Sequence, residues 1–503
     1  MKKIKIPLQY QIIIGLLLGS LFGLLFPVSQ NSLQLKYIDK NKEKKVYIQN
    51  SDSIIVNYWE ESSNSVHSKT FNNKNTTFII NFYNKITQNP DNVKLELYVY
   101  KNGVPYSRFN QIISISKVET LATLIKPIGT IFIQLLFLLA IPLVLSTLIV
   151  GAASLKDVKT LGKLGGKTLL LYLFTTALAL IIGVSLANLI NPGSRLNELS
   201  KLQFKENASD FAQSINKNID FDITNFIINS IPKNIFESLV SGNMLQIVFF
   251  SLFFGITLIF IDKDKSKIII NLLSAVSDVL IKMVELVMKL APIGVFALIS
   301  FTIADFGVNI IATLFWYIFT VLLGLLIHTV ISYSILLRLF SKYSVIEFFR
   351  KIRYVQAIAF SASSSAATLP VTIETAEKEL KLPRKVTSFV LPLGATINMD
   401  GTGLYQGVAA IFIAQFYGVD LNLIQQLTII IMGVLASIGT APVPGVGVIM
   451  LIGILQSVGL PVEGIGLILG VDRILDMSRT ITNVTGDLVV ATIVSNGEIK
   501  LEN

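Results

Sequence analysis

The chain has 503 residues, of which 52% are hydrophobic and only 15% charged. A soluble domain carries about 25% charged residues to cover its surface, so soluble domains, a coiled coil, a disordered chain and a nucleic-acid-binding module are excluded in favour of an integral membrane protein. The net charge of +10 fits membrane-flanking loops; zero Cys and two histidines, His67 and His328, exclude a disulfide framework, a thiolate site and a His-based cluster.

A hydrocarbon core about 30 Å thick needs about 20 apolar helical residues. The first such stretch, Pro7 to Pro27, follows Met-Lys-Lys-Ile-Lys as a signal peptide would, but Phe26 to Gln30 offers no small-x-small cleavage site, which predicts a retained span. Residues 29–118 are polar and predict a β-rich insert. Thr76 to Phe82 is β-prone, Val93 to Tyr100 alternates with period two, Asn102-Gly103 supplies a hairpin turn, and Gln111 to Ser116 forms another strand.

Uncharged stretches Pro127 to Leu155, Thr168 to Ser194, Ser238 to Ile261 and Phe306 to Leu337 predict spans two, three, four and six. Ile268 to Asp305 predicts a fifth span with a polar stripe, because Asp278, Lys282, Glu285 and Lys289 share one helical face. A polar loop, Arg195 to Lys233, joins spans three and four. Lysines and arginines cluster at Lys156 to Lys167, Lys263 to Lys267 and Arg338 to Arg353, while the short alternate loops near Phe301 to Asn309 and Gly418 to Gln426 have none. With Lys2, Lys3 and Lys5, this bias predicts cytoplasmic termini and an extracytoplasmic insert.

Beyond Arg353 the simple span pattern fails. Phe360-Ser-Ala-Ser-Ser-Ser-Ala-Ala-Thr-Leu-Pro370 is a poor helix centre, since Ser competes for the backbone and Pro removes a donor. Leu421 to Val462 is uncharged for 42 residues, too long for one crossing, with the Gly/Pro-rich run Gly439 to Gly447 in its middle. Irregular backbone at membrane depth is tolerated only inside protein or beside a water-filled cavity. Two such breaks predict two re-entrant hairpins in an inverted repeat; two kinked ordinary spans are the alternative.

A polar span follows each hairpin. Asn398-Met-Asp-Gly401 unwinds the first; in the second, Asp472, Asp476, Arg479, Asn483 and Asp487 share one helical face. Charged side chains cost about 3 kcal/mol each at the bilayer centre, so they face an interior site. A structural ion-pair network is the alternative, with Arg473 next to Asp472 as its simplest pair. Carboxylates beside unwound carbonyls suit a hard cation such as sodium.

These motifs resemble the dicarboxylate/amino acid:cation symporters, the glutamate transporter family. The resemblance rests on Ser363-Ser-Ser365, Asn398-Met-Asp-Gly-Thr402, the second hairpin's Gly/Pro tip and Asp476 to Asp487, and it covers everything except roughly 29–118. It implies an all-α polytopic fold of eight transmembrane helices plus two hairpins, assembled as a homotrimer in the plasma membrane. Residues 1–28 are then the first helix and 119–345 helices two to six. Hairpin one, helix seven, hairpin two and helix eight form a transport core over 346–503.

The function implied is elevator-type symport of L-glutamate or L-aspartate with Na+, not enzymatic catalysis. For the substrate it implies Asp476 at the amino group, Arg479 with Thr402 at the side-chain carboxylate, and Asn483, Ser364, Ser365, Val443 and Gly447 at the α-carboxylate, with Met399 and Thr480 alongside. For sodium it implies Gly394, Asn398, Asn483 and Asp487 at one ion and Thr396, Ser437, Ile438 and Thr440 at a second. Tyr172, Thr175, Thr176, Asn398 and Asp400 serve a third.

Ser363 and Met477 occupy positions where relatives carry an extra Arg, which Arg473 can replace, and Gln406 stands where animal members carry a proton-binding Glu. Other readings are proton coupling, or transport of C4-dicarboxylates or neutral amino acids. Asp476 opposes a substrate without an amine, and Arg479 a substrate without a side-chain carboxylate. A receptor built on the insert and a serine hydrolase are the readings from other classes.

Overall fold

The computed structural model describes residues 8–29, 32–40, 42–49, 51–60, 66–72, 79–80, 82–83, 86–87, 93–153, 163–195, 228, 231–307, 309–440 and 444–498. Most of the loop predicted between spans three and four, together with Lys156, Lys159 and Val443, lies outside them. The described chain is mostly helical. Three stretches, Leu121–Ala153, Leu164–Ser194 and Ile310–Phe340, are each long and apolar enough to cross a bilayer.

Helix α1 (Leu8–Leu25) packs along a later helix through Gly15, Gly19 and Gly23, which lie against the carbonyls of Pro292, Phe296 and Ser300 where a Cβ has no room. The insert follows as seven described strands: β1 (Ser32–Asp39), β2 (Lys42–Gln49), β3 (Ser53–Glu60), β4 (Val66–Asn72), β5 (Val93–Lys101), β6 (Val104–Asn110) and β7 (Ile112–Lys117). They form two antiparallel sheets, ordered β2-β1-β7 and β4-β3-β5-β6. Leu33, Leu35, Ile54, Val56 and Leu97 are the centre of a core separate from the membrane part.

The β5–β6 hairpin turns at Asn102 and Gly103, both with positive φ. The strand expected over Thr76–Phe82 is not found: Ile79, Ile80 and Phe82 are helical, and 76–78 lie outside the described residues. The reason is burial at a spacing of four, since Ile79 and Tyr83 both enter the insert core. The insert is tied to the helices by Lys117 Nζ, 2.6 Å from Asp305 Oδ1, and by the Val28 N–H, which donates to the Ala304 carbonyl at 2.9 Å.

Next come α2 (Leu121–Leu124), α3 (Lys126–Ala153) and α4 (Lys163–Ile190). The single fourth span expected over Ser238–Ile261 is instead α5 (Ile235–Ser241) and α6 (Met244–Thr257). Gly242, at φ +70°, ends α5, and Asn243 caps α6 by accepting from the Gln246 N–H. The fifth is likewise two helices, α7 (Lys263–Met288) and α8 (Ala291–Phe306), bent by 56° with Pro292 in the first turn of α8. The sixth runs through α9 (Asn309–Ile327), a π turn (His328–Ser332) and α10 (Tyr333–Phe340).

The remaining helices are α11 (Val345–Ala362), α12 (Ser365–Lys378), α13 (Arg384–Ile397), α14 (Asp400–Tyr417), α15 (Leu423–Gly439), α16 (Val446–Ser457) and α17 (Ile465–Glu498). The pairs α11–α12 and α15–α16 pack against each other as hairpins. Every residue of α14 from Asp400 to Ala414 is buried, so this helix is the axis of the main core.

Candidate functional site

The site forms where three helix breaks meet one unbroken helix. Ser363 ends α11 in the left-handed region (φ 49°), and Ser364 caps α12 by accepting from the Ala367 N–H at 3.1 Å. A non-glycine residue held there stores strain, a frequent mark of a functional turn. Asn398 (ψ 87°) and Met399 (ψ 51°) are non-helical between α13 and α14. Between α15 and α16, residues 441–443 lie outside the described set.

Beside these breaks runs α17, uninterrupted for 34 residues. Ser363, Ser364, Ser365, Met399, Thr402, Thr440, Gly447, Asp476, Arg479, Thr480 and Asn483 line one cavity. Nine of the ten residues expected around the substrate are among them, and Val443 is undescribed.

Arg479 is 2% exposed and held on three sides. Its Nη2 lies 2.7 Å and its Nε 3.0 Å from Asp476 Oδ1, its Nη1 lies 3.3 Å from Asp472 Oδ1, and its guanidinium sits 4.5 Å from the Tyr405 ring centroid. Buried charges persist when paired and hydrogen-bonded in this way. Arg473 Nη1 is 3.3 Å from Asp476 Oδ2, a contact that the simplest reading of the sequence, Arg473 with Asp472, did not include. The i, i+3 spacing brings these ends together, whereas adjacent residues point apart. Asp476 thus bridges two arginines, and an amine is not its only source of a counter-charge.

Asn483 links the cavity to the unwound segment. Its Oδ1 accepts from the Gly401 N–H at 2.7 Å, and its Nδ2 faces Met399 Sδ at 3.3 Å and Thr402 Oγ1 at 3.4 Å. One turn further, Asp487 Oδ1 accepts from Asn398 Nδ2 at 2.9 Å. A Cβ on Gly394 would overlap both Asp487 Oδ1 and the Tyr172 hydroxyl, so only Gly fits here.

Thr176 Oγ1 donates to Asp400 Oδ1 at 2.6 Å, and Thr175 Oγ1 lies 3.4 Å from Asn398 Oδ1. The Tyr172 hydroxyl is turned to the Val390 carbonyl at 2.9 Å rather than to Asp400. In the second expected ion set, Ser437 Oγ lies 3.3 Å from the Ile397 carbonyl; the Thr396 and Thr440 hydroxyls bond Leu393 and Ala436 carbonyls of their own helices. Ile438 is buried beside them. Among the described residues no three His, Cys, Asp or Glu side chains could jointly hold a metal. A cation here would rely on carbonyl, hydroxyl and amide oxygens with single carboxylates, a donor set for hard ions.

Two residues were missed by sequence reasoning. The Tyr333 hydroxyl donates to Asp400 Oδ2 at 2.7 Å, and His328 Nε2 lies 3.4 Å from the same oxygen. His328 is far from every motif in sequence, and nothing local signals that it reaches Asp400. Gln406, expected as a non-carrier of protons, donates from Nε2 to the Gly447 carbonyl at 3.0 Å and ties α14 to the second hairpin.

The family model for the sodium:dicarboxylate symporter family matches residues 103–496. The chain belongs to this family. Members are transporters rather than enzymes, which sets aside the hydrolase and receptor readings. A proton/sodium-glutamate symport protein of Geobacillus stearothermophilus is 38% identical over 391 residues, 75% of this chain and 88% of the relative. A proton/glutamate-aspartate symporter of Escherichia coli is 37% identical over 75% of this chain and 86% of its own length. A C4-dicarboxylate transport protein of Bacillus subtilis is 34% identical over 74% and 87%. The family match begins within the β5–β6 turn.

Proposed function

We propose that the chain is a secondary transporter that couples sodium entry to uptake of L-aspartate or L-glutamate. The observation that carries this reading is Arg479. It lies buried at a cavity wall, paired to carboxylates of its own helix, beside Asp476 and Asn483. A planar guanidinium reads a second carboxylate in bidentate fashion. The substrate's side-chain carboxylate would take Arg479 from Asp476, and its amine would replace Arg479 there. Asn483, Thr402 and the serines at 364–365 would hold the α-carboxylate; Met399, Thr480, Val443 and Gly447 would close the pocket.

Sodium ions would occupy the oxygen clusters at Gly394, Asn398, Asn483 and Asp487, at Thr396, Ser437, Ile438 and Thr440, and at Tyr172, Thr175, Thr176, Asn398 and Asp400. An acidic amino acid carries net −1, so two or more sodium ions make the complex cationic, and each net charge moved inward gains about 2.3 kcal/mol per 100 mV. Gln406 offers no carboxylate for a proton, which favours sodium.

On the family pattern, helices one, two, four and five are a scaffold and the rest of the membrane part is an elevator, with eight spans and two hairpins in all. The same family pattern implies a homotrimer. The insert then faces outward and the termini the cytoplasm.

The second reading, C4-dicarboxylate transport, gains from the bridged Asp476, which keeps Arg473 as a partner when Arg479 turns to a substrate. Uptake of radiolabelled aspartate, glutamate and succinate into proteoliposomes, with sodium and proton gradients imposed separately, tests both. Aspartate or glutamate uptake driven by sodium alone is the expected result. Uptake that follows the proton gradient, or succinate in preference to both, would replace this reading.

A further inference from the structure

His328 and Tyr333 are five residues apart, which on a regular α-helix separates side chains by about 140°. The π turn removes that separation. Within it the Tyr333 N–H bonds the His328 carbonyl, so residues five apart stack on one side. Their rings meet edge to face at 4.6 Å between centroids.

Both then reach one carboxylate oxygen. The Tyr333 hydroxyl is 2.7 Å and His328 Nε2 3.4 Å from Asp400 Oδ2, while Thr176 holds Oδ1 at 2.6 Å. All four side chains are fully buried. A packing role alone would be served by apolar rings. Instead, His328 Nδ1 has no hydrogen-bond partner among the described residues, a costly arrangement for a buried imidazole.

We infer that Tyr333 and His328 are positioning residues for cation binding at Asp400. An ionised carboxylate offers about four lone-pair sites. Thr176, Tyr333 and His328 occupy three and leave one direction for a cation. Cation affinity is thereby set in part from the α9–α10 element, which supplies none of the proposed ligands. The inference rests on the sodium-coupled reading above.

The test uses the purified full chain in detergent. Sodium is titrated against choline at constant ionic strength, and thermal unfolding and aspartate binding are followed together. Tyr333→Phe keeps the ring and the π turn. It should raise the sodium concentration for half-maximal stabilisation about tenfold, the scale of one hydrogen bond to a charged group, and should also lower the sodium-free unfolding temperature, because the bond is made without the ion. His328→Leu should shift the titration in the same direction, and His328→Gln, which restores an N–H donor, should recover toward wild type.

In an Asp400→Asn background Tyr333→Phe should add nothing further. An unshifted titration in Tyr333→Phe and His328→Leu, or a shift that persists without the Asp400 carboxylate, overturns the inference. A wild type indifferent to sodium overturns the sodium reading and the inference together. A sodium-responsive wild type with unshifted variants overturns the inference alone.

Discussion

Arg479→Cys separates the substrate readings most sharply. The substitution removes the 3.3 Å bond to Asp472 and both bonds to Asp476, the latter at 2.7 and 3.0 Å. Asp476 keeps Arg473, whereas Asp472, 5% exposed, loses its Arg479 partner. Breaking a buried pair in this way costs about 3–5 kcal/mol, so the variant should also unfold at lower temperature. For an acidic substrate the loss is two hydrogen bonds between charged groups, about 1.5–3 kcal/mol each, and thus about 10²- to 10⁴-fold in affinity. Serine and alanine have no second carboxylate and escape that loss, so selectivity should collapse or invert. Competition of unlabelled aspartate, serine and succinate against labelled substrate in proteoliposomes measures the ratio. A variant that keeps the wild-type preference for aspartate over serine would refute the role given to Arg479.

Gly394→Ala would push a methyl group into Asp487 Oδ1 and the Tyr172 hydroxyl; at about 1–3 kcal/mol for overpacking, sodium affinity should fall about five- to a hundredfold, read from the sodium dependence of aspartate binding. The Arg108 side chain, hydrogen-bonded to Glu96, holds that carboxyl below its usual range. Because the folded pKa is depressed, this bond stabilises the insert fully above about pH 4.5 and is lost as the pH falls, by less than about 1 kcal/mol for so exposed a pair; hydrogen exchange in β5 and β6 should show it, and Glu96→Gln should flatten it. Deleting Ser32 to Ile115 with a short linker spares both the Val28–Ala304 bond and the Lys117–Asp305 pair. Sodium-driven uptake should survive the deletion, and its abolition in a membrane-inserted protein would make the insert part of transport.

The parts of the site that are legible in the sequence are those with local causes. Three serines before a proline announce the turn at Ser363, Asn-Met-Asp-Gly announces the gap between α13 and α14, and a period of four sets Asp472 to Asp487 on one face. Breaks caused by a single capped glycine are harder to see. Gly242 divides a stretch whose composition reads as one span, because hydropathy averages over it. The residues around Asp400 are the least visible. Tyr333 and His328 approach it from 67 and 72 positions away, and their convergence depends on a π turn that the helical period does not anticipate. Partner choice was equally hidden: Arg473 bonds Asp476 three residues on, because helix geometry brings side chains at that spacing together.

The spacing of α17 bears on coupling. Arg479, Asn483 and Asp487 follow at four-residue intervals, each step about 6 Å along the axis. At the first position stands the charge proposed for the substrate; at the last, a carboxylate proposed for sodium. Between them Asn483 grips the Gly401 N–H and faces Thr402, so it touches the unwound segment from which both sites draw. An ion that fixes Asn398 and Asp487 would also fix the start of α14 against Asn483, and a substrate held by Asn483 would do the same from the other side. Each ligand would then lower the ordering cost of the other by the same free energy. No movement of α17 itself is required. One unbroken helix and one unwound junction are enough to link the two binding events.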